Sequence, residues 1–133
     1  MDSYDAQDDF FNFPIIKGLE GYPAMDTLLA YITASNAEEA RHIGKILVEE
    51  RLAACVNVLP HMESWYWWEG KMEGTQETVL IAKTRAELRE ALQRRVLQLH
   101  SYSCPCVVFL PIVGGNPAYL NWIARETGGN PEG

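Results

Sequence analysis

One imidazole and two thiols stand close together near the C-terminal third of the chain: His100, Cys104 and Cys106. Thiolates beside an imidazole make a donor set for a soft or borderline ion such as Cu(I) or Zn²⁺. Cys104-Pro105-Cys106 enters an apolar run, and in an extended chain two residues separated by one point the same way. Zinc sites usually add a second ligand pair and the chain offers none, so the two cysteines read equally as structural. Cys55 lies in another apolar run. It reads as a small buried hydrophobe or as a further thiolate ligand. Lys83 falls among the apolar residues Val79, Leu80, Ile81 and Ala82. An unpaired charge there would be costly. It therefore calls for a carboxylate partner in a structural ion pair, or for a polar cleft in which it binds an effector. Tyr102 sits beside His100. His42 reads as solvated.

Other chemistries are missing their signatures. There is no Gly-rich phosphate loop, no Gly-x-Ser-x-Gly and no His-Glu-x-x-His, so the chain is not expected to be an enzyme. Ferredoxin-like copper chaperones carry Met-x-Cys-x-x-Cys after the first strand. The equivalent Tyr31-Ile32-Thr33-Ala34-Ser35 has no cysteine. A net charge of −7 is wrong for nucleic acid, which needs a basic face. No apolar run reaches the ~18–20 residues of a membrane helix. The acidic start, Asp2, Asp5, Asp8 and Asp9, is unlike a signal peptide. Three cysteines exclude a complete disulfide framework, and a reducing, cytoplasmic setting is expected.

The elements that would position these residues follow from periodicity. With 133 residues the chain is one domain. Residues 1–25 show no repeating period and read as an N-terminal extension, partly disordered, with Phe10, Phe11 and Phe13 available to dock. Residues 26–126 form the domain and residues 127–133 a disordered tail. Asp26 to Thr33 is a short apolar strand. Ser35 with Glu38 has capping-box spacing, and Ala40, Ile43 and Leu47 follow at helical spacing to near Arg51. Ala53 begins a second strand, bent near Pro60, which cannot donate to a ladder. Glu69-Gly70-Lys71 is a turn, and Glu77 to Lys83 returns as the third strand. Thr84 with Glu87 reads as a second capping box, ahead of a stripe of Leu88, Leu92, Val96 and Leu99, with Arg89, Arg94 and Arg95 facing solvent. Val107 to Ile112 is the fourth strand. Asn116 caps a last helix with Pro117 in its first turn, burying Leu120 and Ile123. The order is βαββαβ plus a terminal helix, an α+β ferredoxin-like sandwich with a long hairpin between its second and third strands.

That hairpin carries Trp65, Tyr66, Trp67 and Trp68. As a strand it places Tyr66 and Trp68 on one face and Trp65 and Trp67 on the other, so both faces are apolar. From Ala53 to Trp68 the strand would run about 50 Å, whereas a helix of about 15 residues covers about 22 Å. The aromatic end therefore overhangs its own domain, and an exposed patch of that kind calls for a partner. Within the chain the N-terminal extension alone could supply it; self-association is the favoured answer, with the four aromatics at the interface.

Several segments in register resemble the CutA family of divalent-cation tolerance proteins: Leu52-Ala53-Ala54-Cys55-Val56-Asn57, Trp67-Trp68-Glu69-Gly70-Lys71, Lys83-Thr84-Arg85, His100-Ser101-Tyr102, Pro105, Leu110-Pro111-Ile112, and Asn116-Pro117 with Tyr119-Leu120-Asn121-Trp122. The likeness covers about residues 26–126. It implies a ferredoxin-like protomer in a tight homotrimer whose hairpins extend neighbouring sheets. It also implies kinship to PII signalling proteins, which bind small effectors between subunits. On that alternative Lys83, Lys71, Glu69 and Tyr102 would line an effector cleft. The resemblance further implies copper binding at His100. Here the family's other ligand positions are Ile32 and Leu99, and Ser101 replaces its proline. Cys106 stands where the family usually has an acidic residue. In a trimer a neighbour's Cys55 or His61 could complete a copper or zinc site with Cys104 and Cys106.

Overall fold

The structure, a computed structural model, describes residues 26–128. In chain order these form strand β1 (Thr27–Ala34), helix α1 (Ala37–Glu49), strands β2 (Cys55–Trp68) and β3 (Lys71–Arg85), a 3₁₀ turn (Ala86–Leu88), helix α2 (Arg89–Leu99), strand β4 (Val107–Pro111) and helix α3 (Pro117–Glu126). The strands make one sheet in the order β2-β3-β1-β4, each pair antiparallel. This is the expected ferredoxin-like arrangement. The expectations for residues 1–25 and 129–133, including the docking of Phe10, Phe11 and Phe13, fall outside the described residues.

Alternation decides which face is dry. Leu28, Ala30, Ile32 and Ala34 of β1 and Leu80, Ala82 and Thr84 of β3 are buried on one face. There Ala40, Ile43 and Leu47 of α1 and Leu92 and Val96 of α2 complete the core. Gly44 lets α1 approach closely: a Cβ there would lie 3.0 Å from both Leu80 and Val56. The other face carries Leu29, Tyr31, Thr33, Ile81 and Lys83. Among the described residues only α3 lies on it, across the end near Arg85, with Ile123 fully buried.

Four local expectations are corrected. The first helix is capped by Asn36, whose Oδ1 accepts from the Glu39 N–H at 2.8 Å, while Glu39 Oε1 accepts from the Ser35 N–H and hydroxyl, both at 3.0 Å. The box is shifted by one residue, because turning Ala40 and Ile43 to the sheet brings Glu39, not Glu38, back toward the entering chain. Thr84 caps nothing; its hydroxyl donates to the Leu52 carbonyl at 2.6 Å, a buried tie between β3 and the end of α1. The third strand starts at Lys71 rather than Glu77, because a two-residue turn with positive φ at Glu69 (50°) and Gly70 (79°) keeps the ladder intact to the tip. Thr127 is not part of a disordered tail. It is buried, donates to the Ile123 carbonyl at 2.8 Å and accepts from Arg85 Nε at 2.9 Å.

The bend near Pro60 is a β-bulge. Leu59 pairs with Val79 and Met62 with Glu77, so Pro60 and His61 oppose Thr78 alone. His61 takes a positive φ of 67°. One extra residue reverses the alternation along β2. Before it Cys55, Asn57 and Leu59 face the open side of the sheet; after it Met62, Ser64, Tyr66 and Trp68 do. On the opposite side Trp65 lies over Gly74, where a Cβ would meet its ring at 2.5 Å.

Thr84→Val keeps the shape of a fully buried residue and leaves the Leu52 carbonyl without its donor. Chemical denaturation should show a loss of about 1–3 kcal/mol; an unchanged midpoint would mean that the tie contributes nothing.

Candidate functional site

Cross-strand register places chemistry at both ends of the open face. At the α3 end, Cys55, Lys83 and Leu29 form one row. Lys83 Nζ donates to Asn57 Oδ1 at 2.9 Å and lies 5.7 Å from the centre of the Tyr119 ring. Cys55 Sγ is 3.5 Å from the Tyr119 hydroxyl. The carboxylate partner expected for Lys83 is absent among the described residues; an amide oxygen and an aromatic face take its place. Burial pushes the Lys83 pKa down, but the Tyr119 hydroxyl and Cys55 outweigh it and hold the ammonium above its ordinary range. Tyr119 is itself pushed up, first by its bond to Cys55 and then by burial. Asn57 and Tyr119 were not singled out from the sequence. Tyr119 stacks on Trp122 with ring centres 5.6 Å apart, a helical i,i+3 spacing that was visible.

At the other end, Tyr66 and Trp68 turn over the sheet and meet the loop between α2 and β4. They form a cleft of about 320 Å³ with Thr33, Glu77, Tyr102, Ser103, Cys104 and Cys106. The Tyr102 hydroxyl donates to Glu77 Oε2 at 3.1 Å. Burial, then the Glu77 carboxylate, push the Tyr102 pKa up to about 12, so the phenol keeps its proton. Two ties hold the loop. Glu39 Oε2 accepts from the Ser101 N–H at 2.9 Å. His100 Nε2 donates to the Thr33 carbonyl at 2.7 Å while its Nδ1 accepts from the Tyr102 N–H at 3.0 Å. A backbone amide can only donate, so Nδ1 carries the lone pair and Nε2 the proton.

This geometry sorts the expected ligands. Both ring nitrogens of His100 are engaged, which leaves no lone pair for a metal; the imidazole is a loop anchor in this structure. Cys104 and Cys106 do line one cleft. Cys55 lies four residues down the strands, about 13 Å, and three strand spacings, about 14 Å, from Cys106. Among the described residues no group of three or more His, Cys, Asp or Glu gathers to hold an ion. The four residues expected to line an effector cleft between subunits are spread apart within one protomer. Tyr102 lies at one end of the open face, Lys83 at the other, and Glu69 and Lys71 are exposed at the hairpin tip. Glu77 and Glu39 were missed from the sequence. Glu77 was legible as a carboxylate flanking an apolar strand; the reach of Glu39 to Ser101 depends on tertiary packing.

Comparison with known proteins gives a consistent picture. A family model described as the CutA1 divalent ion tolerance protein matches residues 28–126. The chain is 44% identical over 101 residues to the chloroplastic protein CutA 1 of Oryza sativa, covering 76% of this chain and 57% of that one. It is 47% identical over 97 residues to the divalent-cation tolerance protein CutA of Thermus thermophilus, covering 73% and 94%. The match to the chloroplastic CutA of Arabidopsis thaliana spans 62% of that protein, so the chain corresponds to about three-fifths of these plant relatives. Among solved structures, Cut A1 of Thermus thermophilus superposes with a TM-score of 0.75 at 45% identity, covering 77% of this chain and 99% of that one. The periplasmic CutA of Archaeoglobus fulgidus gives 0.74 at 42% identity, covering 76% and 98%. No described helix is long and apolar enough to cross a membrane.

The tie from Glu39 to the loop makes a pH prediction. Burial would raise this carboxyl, but the bonds from Ser101 and Ser35 outweigh it and lower its pKa from 4.5 to about 2. A depressed carboxylate stabilises the fold above its unfolded pKa and loses that contribution as pH falls toward the folded value. Glu39→Gln should therefore lower the melting temperature at neutral pH, and the gap to wild type should close between pH 4.5 and about 2. A gap independent of pH would contradict the assignment.

Proposed function

The chain belongs to the CutA1 divalent ion tolerance family, and from that premise we propose that it serves in divalent-cation tolerance as a homotrimer that gathers metal donors by assembly. The observation that carries this reading is the sheet face that the described residues leave largely uncovered. Leu59, Val108 and Leu110 are each about half exposed there. Tyr31 lies between Ile81 and Val108 in the same surface. Trp67 at 75% and Trp65 at 65% exposure add apolar surface on the opposite side of the hairpin, and exposed apolar patches mark interaction sites. A cyclic assembly that packs each open face against its neighbours would cover Leu59, Val108 and Leu110.

The metal reading rests on Cys104 and Cys106, the thiols that line one cleft. A thiol pair suits Cu(I) or Zn²⁺, and further donors would come from a neighbouring protomer. The role is binding rather than catalysis. Three free cysteines fit a reducing compartment, of which the cytoplasm is the simplest.

Sedimentation velocity should give the mass of a trimer for the wild type, and Val108→Glu with Leu59→Glu should give folded monomer; monomeric wild type would overturn the assembly. Calorimetric titration with Zn²⁺ and Cu(I) should show binding that the double change Cys104→Ser, Cys106→Ser weakens about tenfold or more. Equal binding by both proteins would remove the thiol pair from the site.

A further inference from the structure

The hairpin has a second side, away from the open face, that the proposed assembly does not use. Cross-strand pairing puts Glu63, Trp65 and Trp67 of β2 there, beside Gln76, Gly74 and Met72 of β3. Helices α1 and α2 cover the core further down the strands, and all six residues are exposed. Trp67, Trp65 and Met72 are the three most exposed large apolar residues of the described chain, at 75%, 65% and 63%. All three share this one side, where a contiguous apolar patch marks an interaction site.

Trp65 is held there as a platform. Its ring lies over Gly74, where a Cβ would come within 2.5–2.9 Å of three ring atoms. A glycine inside a strand suits such a close approach. The indole Nε1 donates to Glu63 Oε1 at 2.8 Å. The N–H is therefore spent within the hairpin, and the outer face of the ring offers a partner apolar surface. Trp67 stands cross-strand from Met72, whose flexible, polarisable side chain adapts to irregular apolar partners.

Charge sets the sign of the partner. Glu63 is the sole charged residue among the six, because Lys71 pairs with Trp68 and faces the other way. The whole chain carries −7.

We infer that this side of the hairpin is a docking surface for a basic amphipathic segment of another protein. Its apolar side chains lie on Trp65, Trp67 and Met72, and its lysines or arginines meet Glu63 at the rim. Tryptophans are among the side chains that carry most of the energy at protein interfaces, and one already held in place loses little freedom on binding. An acidic segment or a nucleic acid would be repelled by Glu63 and by the net charge. The proposed assembly packs the opposite side, so this surface stays open once per protomer.

The test uses the full chain and a probe, an amphipathic peptide of leucine and lysine at helical spacing that contains no tryptophan. Titration should saturate at one peptide per chain with a blue shift of the protein's tryptophan fluorescence. The same peptide with serine in place of leucine should bind about tenfold more weakly or not at all. Trp67→Glu should weaken the leucine–lysine peptide about tenfold and leave the mass by sedimentation unchanged. That change adds negative charge, so attraction by charge alone would make the peptide bind more tightly. Absence of saturable binding, equal binding of the serine peptide, or undiminished binding by Trp67→Glu would each overturn the inference. A lower mass for Trp67→Glu would show that neighbouring copies occupy this side, and would overturn it too. Stoichiometry is read per chain, so the result stands apart from the proposed trimer and from what the thiols do with metal.

Discussion

A four-stranded sheet has two faces, and the described residues supply helices for little more than one. Helices α1 and α2 seal the face carrying Leu28, Ala30, Ile32, Leu80 and Ala82. The short α3 reaches only the end of the other, near Lys83 and Arg85. The cleft under the hairpin lies on the remainder. Burial of apolar surface is the main favourable term in folding and association, roughly 25 cal/mol per Å². A sheet face bearing Tyr31, Leu59, Val108 and Leu110 is therefore under steady pressure to find a cover. At 14 residues β2 spans about 46 Å, more than twice the about 20 Å of the 13-residue α1. The cover has to come from outside the helical layer.

The extra residue at Pro60 and His61 turns this geometric surplus into a site. Without it Tyr66 and Trp68 would lie on the helix side of the hairpin, and Trp65 and Trp67 on the open side. With it the phenol and indole face the same side of the sheet as Glu77 and line one cleft with it. The left-handed backbone at His61 is uncommon for a residue with a side chain. Proline is tolerated because β2 is an edge strand. The facing loop is fixed by His100, whose ring nitrogens both bond backbone groups rather than turning toward Cys104 and Cys106, and by Glu39, which accepts from the Ser101 N–H.

Much of this was legible in the sequence. Element order, the hairpin, the two apolar faces of the aromatic stretch and the Asn116-Pro117 helix start follow from period and turn chemistry. The errors were of one kind. Asn36 and Ser35 are both competent caps, and which is used depends on the rotation of α1 against the sheet. Thr84 has the local environment of a cap, but its hydroxyl is taken by the Leu52 carbonyl, 32 residues earlier in the chain. Pairing Lys83 with a carboxylate was sound chemistry. That an amide and an aromatic ring serve instead follows from where α3 docks. The cleft itself joins Thr33, Tyr66, Glu77 and Tyr102, residues that only the folded register brings together.

The central claim is that the free edge and open face of β2 are covered by other copies of the chain. Hydrogen–deuterium exchange along β2 tests this directly, since an edge strand in a monomer leaves its outward amides to solvent. The account predicts that the outward amides between Met62 and Trp68 exchange slowly, and faster as the protein is diluted. Exchange at the rate of an open edge, unchanged over a wide range of concentration, would contradict it.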